Sequence, residues 1–405
     1  MRKLLRFAVA TSGALIVCAW LAGVTRADTY PVNDTADLPD AAVGNGICAT
    51  AAGTCTLRAA IQEANAHAGP DSVTIPAGTF ILTQTGAFEA DAVSGDLDLR
   101  ETITITGAGR GLTLIDGNLM DRVLDVFPAI SNSPMTATLS GLTLRRGGYV
   151  STGCGMDING AQTRVFLSRV DIRDGACLDS YGYGGIYFYN ASLLSLDDVI
   201  IDNNAGYYGG GIRANGGWGV VSGTLISNNT SQLPGGGAAL NNGFISINRS
   251  AIVDNRSLSN GGGLYLFSVS GGVTSTTIAG NTASGNGGGV YAYFASGVQF
   301  GWDTIARNSS GGTGGGAYVN APSMTIRGAL IGANAAAGSG PDVYCYGALS
   351  SQGNSLIGDV AHCSSSNSYS AGPDDVINVT PGIGALVSLS GTQVMPLVYG
   401  SRAID

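Results

Sequence analysis

Three aspartates, Asp174, Asp202 and Asp254, recur at intervals close to multiples of 26 residues, with Asn228 between the last two and Arg173, Arg249 and Arg256 close by. If Ile172 stands in register with Ile200, Asp174 and Asp202 fall on adjacent strands about 5 Å apart. Carboxylates that close raise one another's pKa, bind Ca2+ or match the spacing of a retaining glycosidase pair. An arginine such as Arg173 would then serve as the base of a lyase-like site. Asp and Asn also cap turns with no chemistry attached. We take capping as the first reading, and Asp174, Asp202, Asp254 and Arg173 as the catalytic candidates behind it.

The second set is aromatic. One column reads Tyr187, Arg213, Ala239, Tyr265, Tyr291, Tyr318 and Tyr344; two residues further on, another reads Tyr189, Asn215, Asn241, Phe267, Tyr293, Asn320 and Tyr346. Residues two apart share a face of a strand, so both columns point the same way. Flat rings stack on sugar faces while Asn and Arg bond hydroxyls. The pattern therefore predicts a carbohydrate-binding face, with polysaccharide or a cell-surface glycan as partner. The competing reading is a ladder that steadies its own sheet.

Such columns need a repeating scaffold. Gly-Gly-Gly occurs at 209–211, 235–237, 261–263, 287–289 and 314–316, a spacing of 26, 26, 26 and 27. An Asn column runs in phase with it (Asn203, Asn229, Asn255, Asn281, Asn308, Asn334), and so does an Ile column (Ile200, Ile226, Ile252, Ile278, Ile305, Ile331). Periodicity of this kind marks a solenoid. The short runs between turns are β-rich, and stacking them gives an all-β parallel β-helix of about 26 residues per coil, with Ile inside and Asn laddered at a turn. Glycines supply positive φ at the turns. The period does not suit the nine-residue calcium-binding repeat.

The organisation along the chain follows. Residues 1–27 read as a signal peptide, with Arg2, Lys3 and Arg6 before an apolar run. Residues 28–70 form an N-terminal cap with one helix, 56–66, covering the core and open strand edges. The β-helix spans 71–345, and 346–405 form a C-terminal coil and cap segment. Six cysteines outside the leader fall in near pairs, Cys48 with Cys55, Cys154 with Cys177 and Cys345 with Cys363, which suits disulfides in an oxidising compartment; the paired CxxC spacing of zinc sites is missing. Only 12% of residues are charged against 44% hydrophobic, so the chain has apolar surface enough to fold. Loss of the leader removes four of 19 basic and none of 28 acidic residues, leaving 15 against 28, a net charge of −13 with no lysine. Nucleic acid and anionic membranes are poor partners for such a surface.

At the N-terminal end Gly46-Ile47-Cys48 and Cys55-Thr56-Leu57-Arg58-Ala59-Ala60-Ile61-Gln62-Glu63-Ala64-Asn65 resemble the signature of bacterial CSLREA-domain surface proteins, departing from it at Thr56 and Ala59. Asp96-Leu97-Asp98-Leu99 and Leu114-Ile115-Asp116-Gly117 are similar to that family's opening coils. Gly340-Pro341-Asp342-Val343-Tyr344-Cys345 and Gly400-Ser401-Arg402-Ala403-Ile404-Asp405 resemble its closing choice-of-anchor segment, with Arg402 where Pro is usual. The resemblance implies a right-handed β-helix of pectate-lyase-like architecture in an exported protein, and implies little about activity. The two histidines, His67 and His362, sit in end regions outside any triad or zinc motif. The Gly-His-Gly and Arg-Ile-Lys motifs of polygalacturonases have no counterpart. The expectation is a secreted or cell-surface monomer that binds glycan through the face formed by Tyr187, Tyr189, Arg213, Asn215, Tyr265, Phe267, Tyr291, Tyr293 and Tyr318. It needs no cofactor, Ca2+ at the aspartates excepted. A polysaccharide lyase or glycosidase near Asp174/Asp202 is the alternative, and a purely structural surface protein the third.

Overall fold

The computed structural model describes residues 27–401 other than 68, 87–88, 149–152, 178–181, 364–368, 390–391 and 399–400. The expected leader therefore lies, but for Ala27, outside the described residues, as does Arg402. The chain is an all-β solenoid. From the glycine triplet at 261 it runs through Leu264–Phe267, Ser270–Thr274, Thr277–Ala279 and Thr282–Ala283 before the triplet at 287 begins the next coil. Each strand pairs in parallel with its equivalent one coil on, as in Leu264↔Val290 and Ile278↔Ile305. Among the described residues the strands stack into sheets of 10, 7 and 23 strands. The largest joins two ladders through the long strands Met135–Arg145 and Thr163–Arg173. Positive φ at Gly141 and Arg169 bends these two strands from one face to the next.

The core is a set of ladders. Leu144, Ile172, Ile201, Ile226, Ile252, Ile278, Ile305, Ile331 and Ile357 stand in register and are all buried. This corrects the register expected above: Ile172 pairs with Ile201, and Ile200 pairs with Asp171 and faces outward. The run Val199-Ile200-Ile201 offered apolar side chains at three successive positions, and the coil from Ile201 to Ile226 is one residue shorter than those after it.

The same slip moves the Asn ladder, which begins at Asn204. From Asn229 on, each Asn Oδ1 accepts from the backbone N–H and the Nδ2 of the Asn one coil before, while its Nδ2 also donates to an Ile carbonyl. For Asn281 these are Asn255 N and Nδ2 at 3.0 Å each, Asn308 Oδ1 at 2.9 Å and Ile252 O at 2.8 Å. Asp342 ends the ladder by accepting from Asn334 N and Nδ2. A column of four bonds per buried side chain explains why one residue type repeats there.

The triplet glycines divide the work. Only the first has positive φ, 67° at Gly209 and 68° at Gly261. The third is needed for room: a Cβ at Gly263 would stand 3.0 Å from Asn281 Nδ2 and 2.7 Å from Gly289 O. Turn conformation thus accounts for the first glycine, and close approach of the next coil for the second and third, since a Cβ at Gly262 would run into Gly288 O.

The cap helix Leu57–Ala66 starts on Thr56, whose hydroxyl accepts from Ala59 N. It buries Leu57, Ala60, Ile61 and Ala64 on the first coils. Its polar residues tie down loops. Arg58 reaches Asp37 and three carbonyls, Gln62 bonds Asp40 N and Ala92 O, Glu63 accepts from Gly44 N and Gly46 N, and Asn65 donates to Asp98 O. All three expected disulfides form: Cys48–Cys55, Cys154–Cys177 and Cys345–Cys363.

The parallel ladder extends beyond the boundaries read from sequence. Thr29–Pro31 already pairs with Asp71–Ile75 ahead of the helix, and pairing continues past Cys345 to Val376–Ile377. Strands of two or three residues leave too little pattern to be read in the sequence. The hairpin Val387–Leu389/Thr392–Val394 then lies outside the solenoid, where Leu386 and Met395 pack on Ala251, Val253 and Ala279.

One coil is underfilled. Ala214 and Gly219 take inward positions held by Phe188, Leu240, Leu194 and Ile245 in the coils beside them, leaving an apolar cavity of about 40 Å3. A Cβ on Gly219 would meet nothing within 4 Å. Gly219→Ala is therefore expected to raise stability by about 0.5–1 kcal/mol, through reduced freedom of the unfolded chain and a partly filled void, as measured by chemical denaturation.

Candidate functional site

The 10-stranded sheet carries the two outward columns as the sequence predicts: Tyr187↔Arg213↔Ala239↔Tyr265↔Tyr291↔Tyr318↔Tyr344, and Tyr189↔Asn215↔Asn241↔Phe267↔Tyr293↔Asn320. Inward residues such as Ile186, Phe188, Leu264 and Leu266 are buried, and strand alternation turns the aromatics out. Tyr346 follows the last strand of the sheet, outside its register, and is exposed.

The rings face one another along the axis. Tyr291 lies between Tyr265 at 5.4 Å and Tyr318 at 4.8 Å, with interplanar angles of 7° and 3°. Tyr318 continues to Tyr344 at 5.4 Å, and His362 lies 6.3 Å beyond. In the second column Phe267 stacks on Tyr293 at 5.8 Å. Most of these rings are half-buried, and Tyr189 is 41% exposed. The expected mode of binding changes accordingly, because both faces of Tyr291 and Tyr318 are covered by other rings, which leaves edges and hydroxyls for a ligand. Burial pushes the Tyr291 phenol up to about 12 and raises Tyr187, Tyr265 and Tyr318 as well. At neutral pH these groups are protonated donors and cannot serve as bases.

The column breaks at Arg213 and Ala239. The Arg213 guanidinium lies 4.0 Å from the Tyr208 ring centroid, and Tyr208 meets Tyr265 edge-on at 6.2 Å, so Tyr208 links the two sides of the break. Arg213 Nη1 is shielded from solvent and has no hydrogen-bond partner. The same holds for Asn241 Oδ1 one strand on, in the second column. An unmet donor and an unmet acceptor thus lie on neighbouring strands, two positions apart, between two aromatic stretches.

Asp174 and Asp202 do not stand in the expected register. The one-residue slip places Arg173, rather than Asp174, opposite Asp202. Arg173 lies between the carboxylates, 3.5 Å from Asp174 Oδ2 and 3.7 Å from Asp202 Oδ2. Asp174, Asn203, Asn228 and Asp254 instead share a turn column with φ of 59°, 54°, 54° and 56°. Short polar side chains tolerate this left-handed region, which is reason enough for Asp and Asn to recur there. Asn203 donates to Asp174 at 2.8 Å, and Asn228 to Asp202 at 2.8 Å. Arg173, Asp202, Asn228 and Asp254 line a groove together with Leu386 and Gln393 of the C-terminal hairpin segment.

Sequence reasoning missed a third group. On the aromatic sheet, Asp98, Asp125 and Asp157 occupy the column of Tyr187 in the three preceding coils. Arg122 lies among them, with Nε 2.7 Å from Asp96 Oδ2 and Nη1 3.2 Å from Asp125 and Asp157. Burial pushes Asp96 up to about 9 and Asp98 up to about 7. The signal lay in the triplets Leu97-Asp98-Leu99, Leu124-Asp125-Val126 and Met156-Asp157-Ile158, an acid flanked by inward apolar residues.

No family model matches the chain, and neither does any curated protein. Among solved structures it is similar to the A-module of the mannuronan C-5 epimerase of Azotobacter vinelandii, at 17% identity and a TM-score of 0.44, over 87% of this chain and 98% of the module. It is also similar to a pectate lyase at 11% identity and 0.43, over 94% and 91% of the two chains. A mannuronic acid specific polysaccharide lyase from human gut microbiota aligns at 11% and 0.29, over 76% and 86%. Likeness at this level says nothing of any site. Among the described residues no helix is long and apolar enough to cross a membrane.

Proposed function

We propose that this is an exported or cell-surface β-helix that binds a glycan, without turning it over, along the outward face of its 10-stranded sheet. The observation that carries the reading is the unmet pair at the break in the aromatic rows, Arg213 Nη1 and Asn241 Oδ1. Both atoms are shielded from water, so a sugar would reach them once the Arg213 and Asn241 side chains turn outward; its hydroxyls, which donate and accept at once, would then supply the bonds that the folded chain leaves unmade. Phenol hydroxyls, protonated at neutral pH, line both sides of the break from Tyr187 to Tyr318 and can bond to sugar hydroxyls. Coil spacing of about 4.8 Å repeats the arrangement along the axis, which suits a polymer.

The binding group comprises Tyr187, Tyr189, Arg213, Asn215, Tyr265, Phe267, Tyr291, Tyr293 and Tyr318, and the protein acts as a monomer. Three disulfides fit an oxidising compartment. The N-terminal motif from Cys55 to Asn65 is taken as that of a CSLREA-domain surface protein, its polar residues being those that pin the cap.

A polysaccharide array read for both retention and released product tests the proposal. Retention without product is expected. Unsaturated or reducing-end products that vanish with Asp174→Ala or Asp202→Ala would replace it with an enzyme at that groove. No retention on any glycan would leave a structural surface protein.

A further inference from the structure

We propose that the carboxylates of Asp96, Asp98 and Asp125, beneath the N-terminal cap, hold one divalent cation, with Ca2+ the fitting ion. One oxygen of each lies within 4.8 Å of the other two. Oxygens that near one another can share one ion at the roughly 2.3–2.6 Å of Ca2+–oxygen contacts, and Ca2+ accepts the irregular geometry that Mg2+, with its octahedral demand and retained waters, does not. All three donors are hard oxygens, and no Cys or His belongs to the group, which disfavours Zn2+.

A second observation points to a ligand. Asp98 is completely buried; its Oδ2 accepts from Ala92 N at 2.7 Å, while its Oδ1, equally shielded, has no hydrogen-bond partner. Leaving a carboxylate oxygen in that state is costly, and an ion would relieve it. The guanidinium of Arg122 is engaged by Asp96, Asp125 and Asp157, with Asp121 3.8 Å away, and makes no ion pair with Asp98. Four carboxylates therefore share that one guanidinium, with Asp98 on the strand position beside Asp125.

The site has a structural use. Asp96 and Asp98 bracket the start of the 10-stranded sheet, Asp125 lies on the next coil, and the backbone at Ala92, Gly95 and Asp96 is what Arg58 and Gln62 of the cap helix grip. An ion bridging Asp98 and Asp125 would lock the cap loop to the first two coils. It lies apart from the proposed glycan-binding break at Arg213 and does not depend on it.

The test uses the full secreted chain, freed of metal with a chelator and dialysed. Calorimetric titration with Ca2+ alone, then with Mg2+ alone, is expected to show uptake of one Ca2+ per chain, weaker uptake of Mg2+, and a higher thermal midpoint with Ca2+. Asp98→Asn keeps the shape and an acceptor for Ala92 N, and should abolish the uptake, whereas Asp254→Asn should leave it intact. A folded, metal-free wild-type chain that takes up no Ca2+ and shows no shift in midpoint would overturn the proposal whatever the variants do. So would uptake unchanged in both Asp98→Asn and Asp125→Asn.

Discussion

Asn281→Ala is expected to lower the free energy of unfolding by roughly 3–5 kcal/mol, among the largest effects of any single substitution in the solenoid. Asn281 is fully buried, and its side chain bonds Asn255 N, Asn255 Nδ2, Asn308 Oδ1 and Ile252 O. Alanine removes all four bonds and leaves the Asn255 N–H without an acceptor in a place water does not reach. A buried donor orphaned in this way costs about 1–3 kcal/mol alone, and the ladder on either side loses polarisation as well. In a solenoid each coil leans on its neighbours, so damage at one rung weakens the stack both ways. Urea denaturation gives the total loss, and faster amide exchange at Asn255 than at Asn334 would localise it. Loss below about 1 kcal/mol would mean that water or the backbone replaces the side chain.

Arg58→Ala is expected to cost about 3–5 kcal/mol and to free the cap. Arg58 is wholly buried, donates to Asp37 at 2.6 and 3.2 Å, and reaches the carbonyls of Ala92, Gly95 and Asp96. Its removal leaves the buried Asp37 carboxylate with only the Thr83 and Gln84 N–H groups, and takes a donor from three carbonyls, of which Ala92 O keeps Gln62. Arg58→Lys should rescue only part of the loss, since a point charge cannot serve a carboxylate and three carbonyls in a planar fork. Limited proteolysis reads the outcome: cleavage between residues 82 and 100 should appear in Arg58→Ala before the rest of the solenoid is cut. Because Asp37 and Arg58 share one network, adding Asp37→Ala should cost less than the sum of the two single changes.

Much of this architecture is legible in the residues because a solenoid writes its period into the chain. Glycine triplets recur because the first turns the backbone and the third makes room for an Asn, so two physical needs mark the same place. The aromatic columns were legible through strand alternation counted from those triplets. What failed was register at the first regular coil, where three apolar residues in a row and a coil one residue short hid which Ile faced inward. That single step exchanged Asp174 for Arg173 opposite Asp202 and made a turn column look like a carboxylate pair.

Two further features lay outside what spacing could give. Stacking of Tyr265, Tyr291, Tyr318 and Tyr344 on one another depends on side-chain rotation, which the alternation of strands leaves open, so the expectation of free ring faces had no check in the sequence. The carboxylates of Asp96, Asp98, Asp121, Asp125 and Asp157 gather around Arg122 from irregular early coils, where no fixed period aligns them. Acid between two apolar residues marks Asp98, Asp125 and Asp157 but not Asp96 or Asp121, and the same mark is borne by many an outward strand position.

The most direct test of the glycan-binding face compares variants on whichever polysaccharide retains the wild-type protein. Arg213→Ala and the double change Tyr265→Ala, Tyr291→Ala should each weaken retention by about tenfold or more, as loss of one or two buried hydrogen bonds implies, while Trp302→Ala, an exposed aromatic off this face, should leave it unchanged. Equal retention by all of these folded proteins would contradict the account.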